Sequence, residues 1–146
     1  PFEQKESHPM PIQTTTARPG TSASDVAALA GRILLAAIFV LSGLSKVAAP
    51  AGTISYIASA GLPLPQVGLA IAVIVELGGG LALVAGFRTR FVAAILALFS
   101  LATALAFHNH LADQNQFIHF FKNVAMAGGL LQVVAFGAGR FALDRR

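Results

Sequence analysis

The stretch VGLAIAVIVELGGGLALVAGF, Val67–Phe87, decides the fold. It is about twenty residues long, the length an α-helix needs to cross a hydrocarbon core of roughly 30 Å. Its one charged residue, Glu76, stands near the middle. A carboxylate at that depth costs a few kcal/mol against lipid, so Glu76 must face protein or a wet cavity. The neighbouring Gly78, Gly79 and Gly80 let a second helix approach closely. The stretch reads as the polar, tightly packed centre of a membrane helix bundle.

Three further apolar runs share this character, at about 26–48, 91–110 and 118–138. The whole chain is 55% hydrophobic and only 11% charged, against about 25% charged for a soluble domain. That gap, with a mean hydropathy of +0.73, excludes an ordinary soluble fold. The formal charge of +4 comes from ten Lys and Arg scattered in ones and twos. No basic stripe exists to hold nucleic acid, and basic residues flanking apolar spans fit membrane topology instead. The absence of cysteine rules out disulfides, thiolate catalysis and Cys-ligated metal centres.

Residues 1–24 carry four of the seven prolines and few apolar side chains. Such a segment is expected to remain a flexible tail outside a membrane domain at 25–146. Asp25 is placed to cap the first helix. Arg32, near its start, is expected to snorkel to the interface. Pro50 ends that span. Ile54–Ala60, followed by Gly61, Pro63 and Pro65, predicts a short interfacial helix between the first and second spans. Short turns at Arg88–Arg90 and Leu111–Gln116 make successive spans antiparallel neighbours. The expected fold class is therefore all-α, an integral membrane up-down four-helix bundle. Eight of the ten basic residues fall on the side of the two termini, leaving Lys46 and Lys122 opposite. The positive-inside rule then puts both termini in the cytoplasm.

Gly68, Ala72, Glu76 and Gly80 recur every four residues and share one helix face. Counting about 1.5 Å per residue from the span ends puts Ser100 and Gln132 level with Glu76, and Thr103 one turn higher. Ser100, Thr103 and Gln132 are thus the expected polar core around Glu76, the candidate proton-handling acid. Polar glue between helices is an equal reading of this layer. At the Lys46 end, Lys46, Tyr56, His108, Asn109, Lys122 and Asn123 collect with His119 under an apolar rim. They form a candidate ligand-binding set, with Glu76 below, for a carbonyl, a quinone head group or a small anion. The lysine stem spans roughly 6 Å, so direct contact between Lys46 and Glu76 requires an inward bend or a bridging water. His108 and His110 point to nearly opposite sides of a helix, so no metal is assigned. No phosphate loop, dinucleotide fingerprint or nucleophile–base pair is present.

The residues Gly31-Arg32-Ile33-Leu34-Leu35, Phe39 through Ser42-Gly43-Leu44-Ser45-Lys46, Gly61-Leu62-Pro63 and Glu76-Leu77-Gly78-Gly79-Gly80 come in this order. Gly86-Phe87-Arg88-Thr89-Arg90, His108-Asn109, Lys122-Asn123 and Gly128-Gly129-Leu130 follow. This ordered set resembles the DoxX family of small bacterial membrane proteins over about 25–146. The resemblance implies a four-helix inner-membrane protein whose relatives include partners of a quinone-linked thiosulfate oxidoreductase. It adds redox partner proteins and a quinone as the candidate cofactor. The leading expectation is a redox-associated subunit that binds a quinone or similar amphiphile. The chain has no self-contained catalytic motif. The alternatives are a non-catalytic scaffold or partner-binding subunit, whose polar core only fixes helix register, and a small-solute carrier. An open cavity reaching Glu76 favours the first. A closed bundle with Glu76 bonded to Ser100 or Gln132 favours the scaffold.

Overall fold

A computed structural model describes residues 20–144. The readings made for residues 1–19 and for Arg145 and Arg146 lie outside them. The described chain forms five helices: α1 (Ala23–Ala48), α2 (Pro50–Ser59), α3 (Pro65–Ala85), α4 (Thr89–Phe107) and α5 (Gln114–Phe136). All but α2 are long and apolar enough to cross a membrane. The architecture is the expected four-helix membrane bundle with a short helix between the first two spans.

Local chemistry explains most helix boundaries, and it corrects one expectation. Ser22, not Asp25, is the N-cap of α1, and Asp25 closes the capping box three residues on. Its carboxylate accepts from the Ser22 amide at 3.1 Å. The reciprocal arrangement satisfies two amide donors that a lone Asp25 cap could not. Pro50 both ends α1 and occupies the first position of α2, where a missing N–H costs nothing. Gly61, with φ +75°, turns the chain after α2. Asp113 caps α5 by accepting from the Gln116 amide at 2.9 Å.

Half of the buried core is alanine. Ala36, Phe39, Leu83, Ala93, Leu96, Ala97, Ala127 and Leu130 form one buried cluster. Large apolar residues such as Leu34, Ile74, Leu98 and Phe136 point outward instead. That distribution suits a bundle solvated by acyl chains, where close backbone approach holds helices together. A Cβ added at Gly80 would stand 2.8 Å from Val40 Cγ2 and 3.2 Å from the Val40 amide. One at Gly43 would stand 3.0 Å from the Leu77 amide. These two glycines set the α1–α3 crossing, whereas a Cβ at Gly78 would meet open space.

The pairs α1–α3 and α4–α5 pack along their lengths, while α1 and α5 touch little. A wedge remains between them at the α2 end. At the opposite end the segment after α5 closes the bundle. Leu143 and Asp144 amides donate to the Ala85 and Gly86 carbonyls. Asp144 accepts from the Arg88 and Thr89 amides at 2.6 and 2.8 Å, capping α4. Arg32 does not snorkel: it is 1% exposed and its Nη2 donates to the Phe141 carbonyl. The returning C-terminal segment covers the interface exit the side chain would have used.

Candidate functional site

The site begins with an irregular turn. Ile74–Gly78, in the middle of α3, is a π-helix. Residues four apart drift about 40° around a regular α-helix. The wider turn offsets part of that drift, so Ala72, Glu76 and Gly80 all stay buried on the side facing α1. Single π turns are frequent at functional sites. This one presents Glu76, 6% exposed, to the polar face of α1.

That face carries Ser42 and Lys46, one turn apart. Lys46 Nζ lies 2.8 Å from Glu76 Oε2. The same ammonium donates to Ser42 Oγ at 2.7 Å, and Ser42 Oγ donates to Glu76 Oε1 at 3.1 Å. Lys46 therefore bends inward and meets the acid directly, with no need of a bridging water. Oε2 faces the ammonium off the angle of a good hydrogen bond, so its contact is mainly ionic. The charges neutralise each other in a region where either alone would be expensive.

Above the pair opens a cavity of about 530 Å³, within the range of small-molecule sites. Glu76, Ala72 and Gly68 form one wall; Ile38, Ser42 and Lys46 form another. Thr103, Phe107 and His108 from α4 and His119, Lys122 and Asn123 from α5 complete it. Tyr56 of α2 stands at the mouth, half-exposed, stacked on Phe107 with ring centroids 5.2 Å apart. The His108 and His119 rings stack at 5.1 Å. Lys122 Nζ is 3.2 Å from His119 Nδ1, and His108 Nδ1 is 3.0 Å from Gln116 Oε1. Asn123, almost fully buried, donates to the His119 carbonyl at 2.9 Å. The wall is otherwise apolar, with Phe39, Ile57, Phe99 and Met126 among its members.

Three expected residues are placed elsewhere. Gln132 is exposed on the outer face of α5, because its helical phase turns it away from the buried Ala127 and Leu130. Ser100 is buried but donates to the Leu96 carbonyl of its own helix at 2.8 Å. It makes no hydrogen bond to Glu76. Asn109 is exposed and lies outside the cavity wall, because α4 ends at Phe107 instead of reaching 110. Of the expected core layer, only Thr103 lines the cavity beside Glu76. Ser42, which links the ion pair, was legible as the residue four before Lys46 on one helix face. Among the described residues no group of three His, Asp or Glu is close enough to hold a metal ion.

Comparison with known proteins adds to this geometry. The family model described as DoxX matches residues 27–109, more than half of the chain. The chain belongs to the DoxX family. It is 38% identical over 124 residues to the inner membrane protein YqjF of Escherichia coli (strain K12), covering 83% of this chain and 92% of that protein. It is 35% identical over 130 residues to the inner membrane protein YphA of the same organism, covering 86% and 93%. No solved structure matches it. The family match includes α1 to α4 and hence Ser42, Lys46 and Glu76, but not the α5 wall of the cavity.

Proposed function

We propose that this DoxX-family chain is a multi-pass protein of the bacterial inner membrane that binds the head group of a quinone or similar amphiphile, as a redox-associated subunit. The observation that carries this reading is the cavity of about 530 Å³ with a Ser42–Lys46–Glu76 cluster at its floor. Apolar walls accept a ring and the start of a tail. Lys46 and Ser42 supply donors for a carbonyl, and Glu76 offers a site where a proton can be held. Lys122, His119 and His108 line the route by which that proton would reach the aqueous side. In this reading a redox partner protein delivers the electrons. The names of YqjF and YphA support the inner-membrane location. Both termini face the cytoplasm in this reading, on the charge asymmetry of the spans.

Tyr56 offers a direct assay, because the chain has one Tyr and no Trp. Its ring is at the cavity mouth. A short-chain quinone entering the cavity is expected to shorten the Tyr56 fluorescence lifetime saturably. E76Q weakens that binding and removes its proton uptake. Unsaturable quenching, equal in the variant, would sink the proposal.

A scaffold role is the second reading. It is favoured by the internal pairing of Ser42, Lys46 and Glu76 across α1 and α3, which fixes helix register without any ligand. Retention of a bound amphiphile through purification separates the two.

A further inference from the structure

The charges around the cavity are unequal. Among the described residues Glu76 is the only carboxylate in its wall, and Lys46 neutralises it at 2.8 Å. The remaining charged side chain there is Lys122, whose observed partner is a ring nitrogen, His119 Nδ1, at 3.2 Å. An imidazole accepts a hydrogen bond but returns no negative charge. The adjacent His108 and His119 rings, stacked at 5.1 Å, add polarity and no anion. Asp113, the nearest acidic residue in sequence on this element, is outside the wall and occupied as the cap of α5. The rim thus carries one positive charge beyond what the wall compensates.

His119 and Lys122 occupy the second and third turns of α5, Lys122 eight residues from its start and so roughly 12 Å along it. Ile38, also in the cavity wall, is ten residues before the end of α1, roughly 15 Å along it and so at a similar depth. It is 40% exposed, so the wall runs on to the lipid-facing side of the bundle. A ligand filling this space has a polar end at the rim and an apolar end toward the acyl chains.

We infer that the cavity selects an acidic amphiphile, a single-chain molecule whose ionised head group pairs with Lys122 beside His119 and whose tail passes Tyr56 and leaves toward the lipid-facing side at Ile38. This rests on the amphiphile-binding reading above and narrows it to anionic ligands. A ring bearing an ionised enol or a carboxylate satisfies Lys122, and a carbonyl of the same ligand is left to the Ser42 and Lys46 donors. A neutral head group leaves the Lys122 charge unpaired.

The test uses the full chain in phosphatidylcholine vesicles, read by the Tyr56 lifetime. The probes are a 2-hydroxy-3-alkyl-1,4-naphthoquinone, ionised at neutral pH, and its uncharged 2-methoxy counterpart with the same chain. The hydroxy compound is expected to bind about tenfold more tightly, the scale of one charge-assisted hydrogen bond. K122Q brings it down to the affinity of the methoxy compound. R90Q, which removes a cation at the opposite end of α4, keeps the preference and so controls for net charge. Equal binding of the two probes overturns the acidic specificity while leaving amphiphile binding intact. A preference that survives K122Q also overturns it, and binding of neither probe defeats both readings. A phosphatidylglycerol adduct seen by native mass spectrometry and lost in K122Q would assign the rim to a phospholipid head group instead, again overturning the inference.

Discussion

Replacing each member of the Lys46–Glu76 pair in turn tests the physics of the site, and the two replacements are expected to differ. The carboxylate is 8% exposed at its side chain and the lysine 20%. Breaking a buried ion pair from one side costs about 3–5 kcal/mol when the remaining charge is trapped. K46M traps Glu76, because a short carboxylate fixed in the π turn cannot swing to the rim as a lysine stem can. Its cost should approach about 3 kcal/mol. E76Q leaves Lys46 uncompensated, but the long stem can swing back to the rim. Its cost should fall to about 1 kcal/mol once that exposure is allowed for. The double variant K46M/E76L should cost less than K46M alone, since no orphaned charge remains. Unfolding in bicelles by steric trapping reads all three on one scale. Equal single costs that simply add would refute the reasoning, because they would show that neither charge senses the other.

The close crossing of α1 and α3 predicts that Gly80→Val loses about 1–3 kcal/mol by overpacking against Val40, whereas Gly78→Ala stays within about 0.5 kcal/mol because its Cβ meets open space; thermal denaturation of the purified variants checks both. Asp144 predicts a pH dependence at the other end of the molecule. Thr89, through its side chain and its amide, and the Arg88 amide hold the Asp144 carboxyl below the ordinary carboxylate range, with Arg32 adding to the effect. The Thr89 hydroxyl lacks a well-aligned bond, so the two amides carry most of it. A lowered carboxyl stabilises the fold above its unfolded value near 3.8 and loses that contribution as pH falls through the lower folded value. Amide exchange at Arg88 and Thr89 should therefore stay slow at neutral pH, accelerate only in strong acid, and be fast at all pH values in D144N. Because the chain lacks cysteine, R88C and D113C are clean labels for topology. An impermeant maleimide added outside intact cells should modify D113C and spare R88C, and the reverse would overturn the proposed orientation.

Much of the bundle was legible because lipid imposes a simple rule. About twenty predominantly apolar residues with at most two charges have few alternatives, and Val67–Phe87 with its three sister runs meets that rule. Pro50, Gly61 and Pro65 marked the breaks around α2 for reasons of backbone geometry. The site was harder. Glu76 and Lys46 drew attention because charges in lipid are expensive, yet their direct contact depended on a lysine rotamer and on a π turn at Ile74–Gly78. A run of three glycines hints at irregular winding but does not specify an extra residue per turn. Depth counting brought Ser100 and Gln132 level with Glu76, but depth alone ignores helical phase. Gln132 faces outward, and Ser100 satisfies itself on Leu96. Arg32 was misplaced because a sequence reading treats the C-terminal segment as a loose end, whereas its carbonyl at Phe141 and its carboxylate at Asp144 come back to the arginine.

The central claim is that the space above Lys46 and Glu76 exists to hold an amphiphile. Native mass spectrometry of protein extracted from its own membrane tests it most directly, comparing the unaltered chain with Ala72→Phe, which fills the cavity from the α3 wall. A retained adduct of the mass of a quinone or other single-chain amphiphile is expected on the unaltered chain, with its loss in the filled variant. A bare protein mass, or an adduct indifferent to the filling, would contradict it.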